Sequence, residues 1–162
     1  MRITIAFLFI ISPIASLIDQ INSRAFISPV NSLIWLLQIL AYLSAAILIL
    51  RQRLRTTALI LVIYNFLFFI LDFYELQVNP LLSVWSYILV DFLWIVASLL
   101  ILWEKHPLII CGIFVIILSL NFIQTAGSYG LANIIHLINL IIFSVPEYLL
   151  LAVFVWINKK GN

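Results

Sequence analysis

The sequence predicts an all-α, polytopic transmembrane bundle of six helices, and three observations carry that prediction. Of the 162 residues, 66% are hydrophobic and only 9% are charged, against about 25% charged in a typical soluble domain. The apolar residues come in continuous runs, most of them close to the roughly 20 residues that a helix needs to cross a hydrocarbon core. They do not alternate with polar ones as in a membrane barrel. Between the runs lie short breaks rich in proline, glycine or charge.

The runs are Met1–Ile18, Asn31–Leu50, Thr56–Leu76, Leu81–Trp103, Pro107–Gln124 and Gly130–Asn158. Pro13 interrupts the first and Pro146 the last. The breaks contain Ser28-Pro29, the basic stretch from Arg51 to Arg55, Asn79-Pro80, Glu104 to Pro107, and Gly127 to Gly130. Proline suits the first position of a helix, where no hydrogen bond is lost, so Pro80 and Pro107 read as helix starts. No internal repeat or linker divides the chain, and residues 1–162 read as one integral membrane domain. The first run, with Arg2 ahead of it and small residues near Ser16, also fits a secretory leader. Its removal would leave five helices.

Orientation follows from the short loops, which carry an excess of Lys and Arg on the cytoplasmic side. With both termini inside, Arg2, Arg51, Arg53, Arg55, Lys105, Lys159 and Lys160 are cytoplasmic and only Arg24 is outside. Trp35 and Trp85 then fall near the outer interface, Trp103 and Trp156 near the inner one. A bacterial inner membrane is the expected location, an organellar membrane the alternative. Arg51, Arg53 and Arg55 are expected to set topology, with anionic lipid as a second role; lipid-binding clusters usually hold four or more basic residues.

Ionisable side chains at membrane depth cost about 2.5–3.5 kcal/mol on insertion scales and mark candidate functional sites. On the fourth helix Asp91 lies near the midplane, in a stripe with Ser83, Tyr87, Trp94 and Ser98. On the sixth, Asn133, His136, Ser144 and Glu147 share a face, and Glu147 directly follows Pro146. Proline removes a helical hydrogen bond there, which puts an unpaired carbonyl near a carboxylate, as in broken transporter helices. On the third, Asn65 is at mid-depth and Asp72 and Glu75 near the outer boundary. The ion, proton or polar-network candidates are therefore Asp91, Glu147, His136, Asn65, Asp72 and Tyr87.

Catalysis is the weakest of the functional readings. There is no Gly-x-Ser-x-Gly, His-Glu-x-x-His or phosphate loop, and so no catalytic residue is assigned. Ser144 and His136 would stand about 12 Å apart on one helix, too far for a nucleophile and its base. The single cysteine, Cys111, allows no disulfide within the chain, and no zinc-ligand spacing appears. No metal or cofactor is expected. The net charge of +2 is spread along the chain and suggests no nucleic-acid partner.

Three functions follow in order. The first is a non-enzymatic subunit or accessory component of a membrane complex, acting by helix–helix docking with copies of itself or other membrane subunits. The second is a small proton- or cation-coupled transporter or channel using Asp91 and Glu147. The third is a membrane enzyme on a lipidic substrate. The packing of the polar stripes separates the first two: stripes of the third, fourth and sixth helices that face one another around a wet cavity favour transport, stripes on the outside of the bundle a partner.

Overall fold

The computed structural model describes residues 1–23, 29–78, 82–127, 134 and 137–160. They form six helices, and no strand occurs among them: α1 (Arg2–Ser23), α2 (Pro29–Leu50), α3 (Leu54–Val78), α4 (Leu82–Leu102), α5 (Pro107–Gly127) and α6 (Val145–Lys160). Residues 137–139 are helical, and a π-helical turn, Leu140–Ser144, leads from them into α6. The predicted helix start at Pro80 and the outer end of the sixth run lie outside the described residues.

Each start and stop has a local cause. Pro29 opens α2 and Pro107 opens α5, both in the first-turn position where the missing N–H is harmless. His106 caps α5: its Nδ1 accepts a hydrogen bond from the Leu108 N–H at 3.3 Å. Pro13 does not end α1, which runs on to Ser23. Proline removes its own donor but leaves intact those of the residues after it.

Two tight reversals are built alike. At the end of α2 the Arg53 N–H bonds the Leu48 carbonyl at 2.8 Å and the Gln52 N–H bonds Ile49 at 3.0 Å. At the end of α4, Lys105 bonds Leu100 and Glu104 bonds Ile101, both at 2.9 Å. These are paired C-terminal caps that require a left-handed residue. Gln52 and Glu104 supply it at φ 58° and 55°, where glycine is the usual occupant.

Consecutive helices pack side by side, and α6 closes the arrangement by packing on α1, α4 and α5. Small residues let the backbones approach: Ala6, Ala45, Ala46, Ala58, Ala97 and Ala152 are all buried. The larger core side chains include Phe9, Ile49, Leu61, Phe114 and Tyr148. Outward faces are also apolar, with Ile3, Phe7, Leu40, Leu108, Phe122 and Ile123 exposed, Leu108 by 74%. Two stretches, Leu54–Leu71 and Leu137–Lys159, are long and apolar enough to cross a membrane; the apolar parts of the other helices among the described residues are shorter.

One end of the bundle gathers charge. Glu104, after α4, accepts from Arg55 Nε at 3.0 Å and pairs with Lys159 Nζ at 3.6 Å. Three segments that the positive-inside count assigns to one side thus meet. The Arg55 hydrogen bond, aided by the charges of Arg55 and Lys159, holds the Glu104 carboxyl below its usual range against the opposing effect of partial burial. A lowered carboxyl stabilises at neutral pH, and its contribution is lost as pH falls through the folded-state value. Arg55 is 81% exposed, so the contribution is small and salt-sensitive.

The left-handed cap gives a direct test. Gln52→Val should lower stability by about 1–2 kcal/mol, because a β-branched residue is strained at positive φ, whereas Gln52→Gly should match or exceed the parent. Thermal unfolding in detergent reads both, and an unperturbed Val variant would disprove the account of this turn.

Candidate functional site: a buried hydroxyl and carboxyl network

The interior at mid-height is polar, and its residues come from five helices. Glu147, in the first turn of α6, has no exposed surface. Its Oε1 accepts from Ser12 Oγ of α1 at a long 3.5 Å. The Tyr42 hydroxyl of α2 is its second partner, and that hydroxyl also shares a hydrogen bond with Tyr148. Asn65 Nδ2 of α3 donates to the Tyr148 hydroxyl at 3.2 Å and to Ser98 Oγ of α4 at 2.8 Å. Ser98 passes its own hydrogen to the Trp94 carbonyl at 2.9 Å. Every hydroxyl between Glu147 and Trp94 can both donate and accept, which makes the chain continuous.

Aromatic rings wall this network. Tyr148 packs on Trp94 at 4.7 Å between centroids, on Phe9 at 6.0 Å and on Phe114 at 6.1 Å. Phe9 meets Tyr42 at 5.3 Å, and Tyr42 meets Tyr64 edge-on at 5.6 Å. Such pairs contribute roughly 0.5–1.5 kcal/mol each beyond burial. Glu147 Oε2 is buried without a hydrogen-bond partner, and no ion pair to Glu147 occurs among the described residues. An ionised carboxylate with two hydroxyl neighbours and no cation would be an uncompensated buried charge. A protonated acid in the same place is a neutral hydrogen-bonding group.

The local backbone positions the acid. Pro146 has no N–H to donate, and the chain before it widens: the Val145 N–H bonds Leu140, five residues back. The π-turn therefore absorbs the ladder defect that proline creates, and π-turns recur at functional sites. Ser12 stands in the matching position on α1, directly before Pro13. A second link, from Asn139 Nδ2 to the Ala15 carbonyl at 3.4 Å, ties the same two helices one turn further out.

The sequence-predicted candidates divide accordingly. Glu147 and Asn65 are in the network, and Asn65 is buried. Asp91, 7% exposed on α4, is the other buried carboxyl among the described residues. Asp72 and Tyr87 fall within α3 and α4, but their side chains lie outside the described residues, as does His136 entirely. Arg51, Arg53 and Arg55 are exposed at the charged end. Sequence reasoning did not select Ser12, Tyr42 or Tyr148. The available signal was adjacency: Ser12 abuts Pro13, and Tyr148 follows Glu147. Tyr64, next to Asn65, is buried as well because α3 packs between α2 and α4. Among the described residues no group of three His, Cys, Asp or Glu could hold a metal ion.

Asn65→Ala should lower stability by about 1–3 kcal/mol, since it removes the donor to two buried hydroxyls. In a double-mutant cycle with Tyr148→Phe the two losses should be non-additive by at least about 0.5 kcal/mol. Strict additivity would mean that the contact carries no coupling.

Comparison with known families, with curated proteins and with solved structures finds no match in any of the three, so the reading of this site rests on its geometry alone.

Proposed function

We propose that this chain is a six-helix integral membrane protein, with both termini on the cytoplasmic side, that uses Glu147 to bind and release a proton as it moves a solute. The observation that carries the reading is the fully buried Glu147 carboxyl at the junction of α1, α2 and α6, whose partners among the described residues are hydroxyls.

Support for the bilayer comes from the outer surface. Apolar residues are exposed on α1, α2, α3, α4, α5 and α6 alike, from Ile3 and Phe7 to Ile157. Contiguous apolar area on soluble monomers seldom exceeds a few hundred Å², whereas lipid accepts it on every side. The convergence of Arg55, Glu104 and Lys159 at one end fits the basic cytoplasmic face, and Trp103 beside it is 59% exposed, as an interfacial tryptophan should be. By the rise of an α-helix, Ser12, Asn65 and Glu147 stand roughly 15–20 Å from that end, near the middle of a bilayer.

Support for the proton comes from the shell. Two hydroxyls and aromatic walls offer a metal cation few oxygens, fewer than the six to eight that calcium takes. A neutral acid needs little more than a hydrogen-bond partner. The inward orientation of Asn65, Ser98 and Glu147 favours this reading over docking to a partner through the polar stripes. Docking as a membrane subunit stays as a second reading, favoured by the very short α2–α3 and α4–α5 reversals, which leave almost all binding surface on the helices.

Glu147→Gln keeps the shape and hydrogen bonding of the neutral acid and cannot exchange a proton. In liposomes under an imposed proton gradient, the parent protein should couple solute movement to proton entry, and Glu147→Gln should abolish coupling while unfolding at a similar temperature. Unchanged coupling in a folded Gln variant would reject the proposal. An assembly with another membrane subunit found by native mass determination, together with absent flux, would select the second reading.

A further inference from the structure

We infer that α1 beyond Pro13 and the segment 137–144 ahead of α6 form one hinged arm, whose position depends on whether Glu147 carries its proton. The inference rests on the proton reading of Glu147 above.

Both helices are weakened at the same height and at their point of contact. In α1 the defect is Pro13, inside a 22-residue helix. In α6 it is Pro146 with the π-turn Leu140–Ser144 directly before it. Proline and π-bulges are the ordinary causes of sharp helix bends. The side chains next to these two defects, Ser12 and Glu147, touch each other. Past the hinge, Asn139 still holds the Ala15 carbonyl, so the two outer pieces are tied together and would travel as a unit. Below it, Tyr148 is anchored by Asn65, Ser98, Trp94 and Phe114, which fixes the inner part of α6 to α3, α4 and α5.

There is also room for motion. A groove of about 370 Å³ opens between α5 and this outer piece, lined by Leu118, Ser119, Phe122, Ile123, Leu137 and Ile141. Among the described lining residues the only hydroxyl, that of Ser119, is already bonded to the Val115 carbonyl at 2.8 Å, so it does not resist closure by apolar side chains.

The switch is the carboxyl. As a neutral acid it can bond Ser12 and Tyr42 with no charge to solvate. As a carboxylate it needs water or a cation, and its partners among the described residues are the neutral hydroxyls of Ser12 and Tyr42. The ionisable groups facing it are the Tyr42 hydroxyl of α2 and the adjacent Tyr148 hydroxyl, with Tyr64 of α3 behind Tyr42. α1 brings Ser12, and the buried acid of α4 is Asp91. Loss of the proton therefore favours withdrawal of the arm that carries Ser12, which admits water to Glu147.

The test uses the full chain with Cys111→Ala and paired spin labels. One pair, at Phe122 and Ile138, spans the groove; a control pair, at Leu108 and Ile157, spans the charged end. Between pH 4 and pH 10 the groove distance should shift by roughly 5 Å, the scale of a one-turn displacement, while the control distance stays constant. Glu147→Gln should hold the groove distance at its acid value throughout. The doubly straightened variant, Pro13→Ala with Pro146→Ala, should remove the shift. Infrared absorption of the Glu147 carboxyl, identified by its loss in Glu147→Gln, separates the possible failures. A carboxyl that titrates without any groove movement overturns the hinge alone, and a carboxyl that never titrates overturns the proton reading as well.

Discussion

The structure turns on one constraint: a carboxyl group, Glu147, is buried where no charged group among the described residues meets it. Burial without a counter-ion is tolerable only when the group is neutral or when the surroundings can change. Everything near it follows from that demand. Ser12 and Tyr42 give hydroxyls, and Tyr148 passes the hydrogen bonding onward to Asn65 and Ser98. Aromatic rings pack around the same space. The network runs across the bundle from α1 to α4 and acts as a belt joining five helices.

Packing and polarity cooperate in this belt. Alanine at the helix contacts brings backbones close, and the close approach lets short side chains such as Ser12 and Ser98 reach across. In a lipid environment the apolar effect does not press helices together, so shape and interhelical hydrogen bonds decide which helices are neighbours. Asn65 is a junction of the network, its two Nδ2 hydrogens going to Ser98 and Tyr148 with the Trp94 carbonyl at a longer 3.5 Å.

Helix number and most helix boundaries were legible in the sequence because they depend on local signals: run length, Pro29, Pro107 and the basic break at Arg51 to Arg55. Glu147 and Asn65 were legible because polar residues at mid-run stand out against an apolar background. Tyr42, Tyr148 and Ser12 were not. Tyrosine and serine are common in such helices, and a periodic reading gives each helix one inner stripe. α6 packs on α1, α4 and α5, so its buried arc is wide enough to hold Glu147 and Tyr148, which point about 100° apart. Arc width depends on how many neighbours a helix has, and that is a property of the assembled bundle. The first run was read through Pro13 to Ile18, whereas α1 continues to Ser23, because a helix can extend beyond the last residue of its apolar run.

The order of the helices along the chain has a consequence for biogenesis. Chains emerge from the ribosome amino end first, so Ser12, Tyr42, Asn65 and Ser98 are made before the segment that completes their hydrogen bonding. Until translation reaches Tyr148, the five earlier helices surround a vacant polar slot, and α6 acts as the keystone that fills it. A nascent polypeptide stalled short of that residue would display unsatisfied hydroxyl and amide groups, the kind of feature by which quality-control machinery can tell an unfinished product from a finished one.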